Sequence, residues 1–263
     1  MTKLASTLTR TLRKHFKPFY TNFPPGRPLE LGDVGFLRDK QFIRQGNLRD
    51  IDGISPITVR PDSNGNHYEF SSSGEVSLGF TGKGQVDATG VVAAKAKVDI
   101  SFSKKRAVFF NAADCTVESI DNLLVVGDEV MSLWREKRWN PRMVIVTTLV
   151  RAGNMTLVVS GSSGASIEIQ ADADAVQDLD LTDAGIGLTA RSSKSLAFKS
   201  VGETGHNPLL SVSGVRKRFW RPDDFTLKSI AVEGAEANPP WYIDHDCEDE
   251  CRSGDGAVFG SIE

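Results

Sequence analysis

The chain has 263 residues, of which 40% are hydrophobic and 25% are charged, and its formal net charge is −3. These values are typical of a soluble globular protein with one large domain or two small ones. No run of about 18 apolar residues occurs, which excludes a transmembrane helix. The three cysteines are too few for a disulfide framework. The first residues lack the apolar core of a signal peptide, so we expect a cytoplasmic protein.

The charged side chains are distributed unevenly along the chain. Residues 1–29 contain basic but no acidic side chains, whereas residues 243–263 contain seven acidic side chains against one arginine. A basic first segment and an acidic last segment can attract each other. They can also act separately, in which case the basic segment could bind an anionic membrane.

The first predicted element is a basic amphipathic helix over residues 3–16. Its apolar side chains recur four residues apart and are surrounded by cations, as in helices that lie in a membrane interface. Such a helix can also pack on its own domain or bind nucleic acid, and all three interpretations stay open. The candidate membrane-binding residues are Lys3, Leu4, Leu8, Arg10, Leu12, Arg13, Lys14 and Phe16, together with a basic cluster formed by Lys104, Lys105 and Arg106.

Turn signals separate several short predicted strands. We expect a hairpin over residues 29–43 that turns near 38–40, and a strong turn over residues 62–66. Strands are predicted over 144–150 and 155–159, with a turn of the chain at 151–154. This order describes an antiparallel meander, and it contains no strand–helix–strand rhythm of a parallel sheet.

Residues 116–138 are predicted to form the clearest internal helix, because apolar side chains recur there at steps of three and four residues. Thr116 or Asp114 could cap its first turn. We interpret the apolar stripe as part of the core and not as a cofactor-binding surface. The stripe consists of Val117, Ile120, Leu124, Gly127, Met131 and Trp134.

Two long stretches alternate between apolar and polar residues, one over 86–103 with a backward extension to Val76, the other over 165–198. Successive side chains of a strand point to opposite faces, so each stretch predicts a two-faced strand or hairpin. Both reach the about 9–11 residues that a membrane-crossing strand needs. A soluble sheet with one wet face gives the same alternation. The candidate membrane-inserting residues are Val86, Val92, Val98, Ile100, Phe102, Ile167, Ile169, Leu179, Leu181, Ile186 and Leu188.

The sequence contains no recognisable catalytic or metal-binding motif. None of the four histidines lies in a nucleophile or zinc-protease motif. The cluster over residues 245–251 offers histidine, cysteine and carboxylate groups, but its spacing matches no standard zinc site. Residues 216–221 are basic and aromatic, which suits either a phosphate-binding surface or a strand. We therefore expect no enzyme activity and no cofactor.

The acidic last segment ends in a few apolar residues over 257–262. This pattern indicates a peptide that docks into a groove, or alternatively a disordered end.

In its arrangement, the chain resembles the bacterial gasdermins across most of its length. The resemblance rests on the basic first helix, the antiparallel core, the two long alternating regions and the short C-terminal peptide. It implies an α+β fold in which a twisted antiparallel β-sheet core carries peripheral helices and two long amphipathic hairpin regions, over 74–103 and 165–198. It also implies a pore-forming domain over 1–242 and a short acidic autoinhibitory segment over 243–263. The autoinhibitory candidates are Val258, Phe259 and Ile262.

The resemblance further implies a cytoplasmic monomer that an activating protease converts by removing the C-terminal segment. The released protein would bind anionic lipids of the inner membrane, oligomerise as a β-barrel pore and kill the cell in antiphage defence. Many bacterial members carry an N-terminal cysteine that becomes lipidated, and residues 1–20 contain none. The main alternative is a soluble β-rich binding or scaffold protein without membrane activity. A nucleic-acid-binding module that uses residues 3–17 and 216–221 is disfavoured by the acidic balance of the chain.

Overall fold

A computed structural model describes the chain over residues 2–81, 95–172, 189–203, 205–217 and 257–262. Within these ranges the chain forms two α-helices, one short 3-10 helix and fourteen strands. The strands form two sheets, and every described strand pair is antiparallel. The predicted α+β class, with an antiparallel core and peripheral helices, is confirmed at this level.

The helical elements are α1 (Thr2–His15), α2 (Leu123–Arg135) and the 3-10 helix Leu48–Asp50. The larger sheet contains β1 (Tyr20–Thr21), β2 (Asp33–Arg38), β3 (Gln41–Asn47), β4 (Val59–Ser71), β7 (Val108–Ile120), β8 (Met143–Ala152), β9 (Asn154–Ser160), β12 (Leu196–Glu203), β13 (His206–Lys217) and β14 (Ala257–Ile262). The smaller sheet contains β5 (Val76–Thr81), β6 (Lys95–Phe102), β10 (Ala165–Asp172) and β11 (Thr189–Lys194).

The larger sheet follows the order β1-β13-β8-β7-β9-β12. Four further strands attach to this path: β14 pairs with β13, β2 with β8, β3 with β2, and β4 with β7. The smaller sheet follows the order β11-β10-β6-β5. The predicted helix at the start of the chain and the predicted hairpin over 29–43 are both confirmed by α1 and by the β2–β3 pair.

Strands β8 and β9 lie along one edge of β7 in a single register, because Thr116 pairs with Arg151 and Ala113 pairs with Asn154. Between them, the N–H of Gly153 donates a hydrogen bond to the carbonyl oxygen of Ala113, with 3.1 Å between nitrogen and oxygen. Asp114 adopts a φ of 48°, and a Cβ atom on Gly153 would lie 2.9 Å from its carboxylate. The two predicted strands are confirmed, but the predicted turn at 151–154 is wrong. The chain continues along β7 with a local break that needs a glycine.

Helix α2 is shorter than predicted and exposes a different face. Residues 116–120 belong to β7, so Thr116 and Asp114 do not cap the helix, which begins at Leu123 after Asn122. Val117 and Ile120 lie in the sheet, where β7 pairs with β4 along most of its length. Such extensive pairing overrides a helical spacing, and both residues are buried because different clusters cover them.

The predicted core stripe of this region is partly wrong. Leu124 is 87% exposed, whereas Val126, Gly127, Val130, Met131 and Leu133 are buried.

The predicted turn over residues 62–66 is also wrong. Strand β4 passes through this region while still pairing with β7, and its register shifts between Pro61 and Ser63, between Ser63 and Asn66, and between Asn66 and Tyr68. Gly65 adopts a φ of 71° in the middle of this region. Asp, Asn and Gly residues favour tight turns, and the same backbone preferences suit an irregular bulged strand.

The core lies on both faces of the larger sheet. On one face of β7, Val108 and Phe110 pack in a cluster with Leu8 and Leu12 of α1. On the other face, Phe109 packs with side chains of the smaller sheet. A third cluster joins α2 to strands β2, β8 and β13. Neither α1 nor α2, the two α-helices in the described ranges, is long and apolar enough to cross a membrane.

Candidate functional site

The C-terminal strand β14 is docked on the edge of β13. Six residue pairs join the two strands, from Val212 opposite Ile262 to Lys217 opposite Ala257. The same edge of β13 pairs further along with β1, through Leu209 and Leu210. The opposite edge of β13 is occupied by β8. The described C-terminal residues therefore complete the larger sheet as an added edge strand.

A glycine of α2 receives the aromatic ring of this strand. A Cβ atom on Gly127 would lie 2.8 Å from Cδ1 and 3.3 Å from Cγ of Phe259. Phe259 is half-buried and packs against the cluster that contains Val126 and Val130. A glycine inside a helix costs about 0.5–1 kcal/mol relative to alanine. Its place in the middle of α2 is explained by the close approach of the Phe259 ring.

Sequence reasoning identified Phe259 as a docking residue but assigned Gly127 only to the core stripe. The available signal was an isolated glycine among strongly apolar helix residues, which commonly has a packing reason. The side chains of Val258 and Ile262 lie outside the described residues, so their predicted roles stay predictions.

Helix α1 presents its apolar face to the sheet. Leu8 and Leu12 are 1% and 0% exposed. Leu4 is half-buried against the same cluster, and the ring of Phe16 lies 5.7 Å from the rings of both Tyr68 and Phe110. This packing fits the interpretation of α1 as a packed helix. Membrane contact through these apolar residues would require α1 to leave the sheet, so their predicted membrane role stays a prediction.

The outer face of α1 is basic. Arg10 and Lys14 are exposed, and Arg13 is half-buried, with its guanidinium carbon 3.7 Å from the ring centroid of Tyr20. Stacking on an aromatic face fixes the position of a guanidinium group while it keeps its charge. The side chain of Lys3 lies outside the described residues.

The turn between β2 and β3, which lies next to a contact with α1, carries two more exposed cations, Arg38 and Lys40, with the exposed Asp39 between them. Gln41 donates a side-chain hydrogen bond to the hydroxyl of Thr9, which ties the hairpin to α1. The turn residues Asp39 and Lys40 have φ angles of 51° and 61°, and Lys40 and the neighbouring Arg38 are exposed. We call Arg10, Lys14, Arg38 and Lys40 the basic surface; sequence reasoning missed its last two members because they are distant in sequence from α1.

The second predicted basic cluster lies at the connection between β6 and β7. Lys104, Lys105 and Arg106 are exposed there. The Nζ atom of Lys104 lies 2.9 Å from a carboxylate oxygen of Glu75, and the hydrogen bond to this carboxylate raises the pKa of Lys104. The remaining charge of this cluster belongs to Lys105 and Arg106, and its predicted membrane role stays a prediction.

The smaller sheet brings the two alternating regions together, because β6 pairs with β10 along the full length of both strands. On the inward face, Leu78 of the edge strand β5 lies opposite Ile100 and is 39% exposed. The described inward side chains of the central strands β6 and β10 are at most 2% exposed and pack on Phe109 and Val158 of the larger sheet. These inward residues include the predicted membrane-inserting residues Val98, Ile100, Phe102, Ile167 and Ile169. Val86, Val92, Leu179, Leu181, Ile186 and Leu188 lie outside the described residues.

The outward face of the smaller sheet is polar. The Nζ atom of Lys97 lies 3.3 Å from a carboxylate oxygen of Glu168, and Asp99 and Ser101 are exposed. The described strands thus form a sheet with one apolar and one polar face, and the apolar face is covered at the two central strands β6 and β10.

The described residues contain no group of three or more histidine, cysteine or carboxylate side chains placed to hold a metal ion. Cys115 is buried, and this burial raises the pKa of its thiol to about 12. A thiol with so high a pKa is a poor nucleophile at neutral pH. The cluster over residues 245–251 lies outside the described residues.

No protein-family model matches the chain, and no curated protein matches it in sequence. Among solved structures, the chain is similar to the cryo-EM structure of the Gasdermin A3 membrane pore, with 14% sequence identity and a TM-score of 0.35. The alignment covers 93% of this chain and 96% of that chain.

Proposed function

We propose that the chain is a gasdermin-like pore-forming effector that its C-terminal segment keeps inactive until a protease removes that segment. The released protein then binds anionic lipids, oligomerises and inserts its two hairpin regions as a closed ring of strands. In the cell, it resides in the cytoplasm before cleavage and in the inner membrane afterwards, where the pore kills a phage-infected cell. The observation that carries this proposal is the smaller sheet, in which both regions already pair side by side.

The strand directions of the smaller sheet suit lateral repetition. All four strands alternate in direction, so β5 at one edge runs opposite to β11 at the other. A β11 strand placed next to β5 of a second copy therefore continues the antiparallel alternation. Unpaired backbone groups are not tolerated in lipid, so only a ring without edges can span a membrane. Insertion and oligomerisation must therefore occur together.

The two faces of the smaller sheet suit a pore wall. Val98, Ile100 and Phe102 would meet lipid, while Lys97, Asp99 and Ser101 would meet water. In the described state the apolar side chains are instead buried against Phe109. Exchange of one apolar surrounding for another changes the hydrophobic free energy little, because lipid tails and a protein core both exclude water. A modest additional interaction can then decide which state is populated.

The basic surface supports attachment to anionic lipids. Arg10 and Lys14 on α1 and Arg38 and Lys40 on the adjacent turn are all exposed. Each Lys or Arg close to an anionic leaflet contributes about 1 kcal/mol to binding. This surface is available while α1 is still packed on the sheet, so lipid binding can precede any rearrangement of the helix.

The docked strand β14 supports the role of the C-terminal segment as the inhibitory contact. It bridges β13 and, through Phe259, helix α2. Cleavage between about residue 240 and residue 256 would leave this strand without its chain connection. Strand binding would then lose the high effective concentration that the connection provides, which is of order mM for short linkers.

The test is a chain with an engineered protease site between residues 240 and 256 and liposomes that contain a self-quenched dye. We expect dye release from anionic liposomes after cleavage and no release from the uncut protein. Neutral liposomes should release less dye, because the basic surface has no charged partner there. A cleaved protein that stays folded and monomeric and releases no dye would contradict the proposal.

A soluble binding or scaffold protein remains the second candidate. One observation favours it: the apolar side chains of the central strands β6 and β10 are already covered in the described state, as in an ordinary sheet with one wet face. This candidate predicts that cleavage has no effect on any membrane, so the same dye-release experiment separates the two.

A further inference from the structure

The contact between Gly127 and Phe259 has the geometry of a recognition site for a strand. The edge of β13 over Val212–Lys217 offers backbone groups to an extended peptide, and the missing side chain of Gly127 leaves space for one aromatic ring. Backbone pairing at a sheet edge supplies affinity irrespective of sequence, whereas a pocket for a particular side chain supplies specificity. Both components are present here: the edge of β13 offers the backbone pairing, and Gly127 of α2 offers the space for the side chain.

We propose that the β13 edge and Gly127 form a strand-binding site that accepts, from a separate molecule, an extended peptide with an aromatic side chain. Its ligand is a copy of the C-terminal segment itself, which remains a reversible ligand after cleavage. The inference deepens the proposed autoinhibition, and its test needs no membrane. Cleavage then weakens the inhibitory contact by removing the chain connection, and only dilution or competition empties the site.

The ring of Phe259 is the main specificity determinant of this site. Phe259 lies opposite Val215, and both side chains pack against the cluster beneath α2. Removal of the ring would leave the backbone pairing of β14 possible but would lose the apolar burial. Addition of a side chain at Gly127 would occupy the position of the ring, because a Cβ atom there lies 2.8 Å from Cδ1 of Phe259.

The experiment uses the full chain with an engineered protease site within residues 252–256, cut in the absence of lipid. The probe is a fluorescent synthetic peptide that spans residues 256–263, and binding is followed by fluorescence anisotropy. We expect saturable binding to the cut protein and at least about tenfold weaker binding to the uncut protein, whose own strand occupies the site. A peptide with Phe259→Ala should bind at least about tenfold more weakly than the unchanged peptide.

The matched protein variant is Gly127→Val, which fills the space for the ring. We expect the cut variant to lose binding of the unchanged peptide while its circular dichroism spectrum stays the same. If this variant fails to fold, the affinities of the two peptides for the cut protein without the substitution still test the proposed site. Equal affinity for the two peptides, or no binding to a cut protein that has lost its strand, would overturn the proposal. Neither outcome depends on dye release, so the proposed pore function is judged separately.

Discussion

The Nζ atom of Lys97 lies 3.3 Å from a carboxylate oxygen of Glu168, and this ion pair joins the two alternating regions on the polar face of the smaller sheet. Lys97 belongs to β6 and Glu168 to β10, the two central strands. The side chains are 43% and 27% exposed, so water and salt screen the attraction.

Charge reversal at this ion pair should have a small and reciprocal effect. We expect Lys97→Glu to lower the free energy of unfolding by at most about 1 kcal/mol, because it adds a third carboxylate beside Glu168 and Asp99, which lie directly opposite each other. Glu168→Lys should cost less, because the new lysine lies opposite Asp99. The double reversal should recover most of this loss. Urea unfolding at low and at high salt measures both effects, and the differences should shrink at high salt. If each substitution lowers the free energy of unfolding equally in the wild-type protein and in the protein whose partner residue is already reversed, the two residues do not interact.

Filling the space at Gly127 should activate the protein without cleavage. Gly127→Val places a side chain where the ring of Phe259 lies, so β14 should leave β13 and the uncut protein should release dye from anionic liposomes. Leu124→Ala is the matched control, since Leu124 lies on the same helix and is 87% exposed. Dye release by both variants, or by neither, would contradict a specific role for the Gly127–Phe259 contact.

The buried face of α1 should matter for stability. Leu12→Ala removes a side chain that is 0% exposed, and such truncations cost about 2–5 kcal/mol. Arg10→Ala on the exposed face of the same helix should stay within about 0.5 kcal/mol. Guanidinium chloride unfolding measures both variants. A loss below about 1 kcal/mol for Leu12→Ala would mean that α1 is not part of the stable core.

The exposed face of α1 should matter for lipid binding instead. The double reversal Arg10→Glu/Lys14→Glu should weaken binding to anionic vesicles at least about tenfold, because each cation contributes about 1 kcal/mol. The reversal Arg135→Glu/Lys137→Glu changes the charge equally at exposed positions near the end of α2 and serves as the control. Vesicle sedimentation measures the binding. Equal losses in the two variants would indicate that only net charge matters.

The thiol of Cys115 should be inert in the folded protein. Burial raises its pKa to about 12 from the ordinary thiol value of 9.0, so the thiol stays protonated at pH 8. In a Cys247→Ser/Cys251→Ser background, a thiol reagent should react only after denaturation. Because the pKa is higher in the folded state, this group contributes stability below about pH 9 that is lost as the pH rises towards 12. Rapid modification at pH 8 under native conditions would contradict the burial of this side chain.

Local structure could be predicted where the apolar residues followed a single period, either that of a helix or that of a strand. The spacing of Leu8 and Leu12 predicted α1, and the alternation through Val98 and Ile100 predicted the faces of β6. The three-residue spacing of Val117 and Ile120 fits one face of a helix, but in β7 the two side chains pack in different clusters, and pairing with β4 and β8 stabilises the strand. Local periodicity contains no information about such partners.

The candidate site could be predicted only in part for the same reason. The apolar end of the chain indicated a docking peptide and led to Phe259. The partners of that residue, the edge of β13 and Gly127 of α2, are distant in sequence and are brought together only by the fold. The proximity of Arg38 and Lys40 to α1 likewise depends on the hydrogen bond between Gln41 and Thr9.

The most direct test of the central claim follows the two faces of β6 during activation. In a background in which Cys115, Cys247 and Cys251 are replaced by alanine, a fluorophore sensitive to its surroundings is attached to a single new cysteine, either Ile100→Cys on the buried face or Ser101→Cys on the exposed face. With anionic liposomes and after cleavage, we predict that a quencher in the lipid tails acts on position 100, while an aqueous quencher acts on position 101. The lipid quencher should act on neither position before cleavage. An unchanged quenching pattern after cleavage, in a protein that has lost its C-terminal segment, would contradict the account.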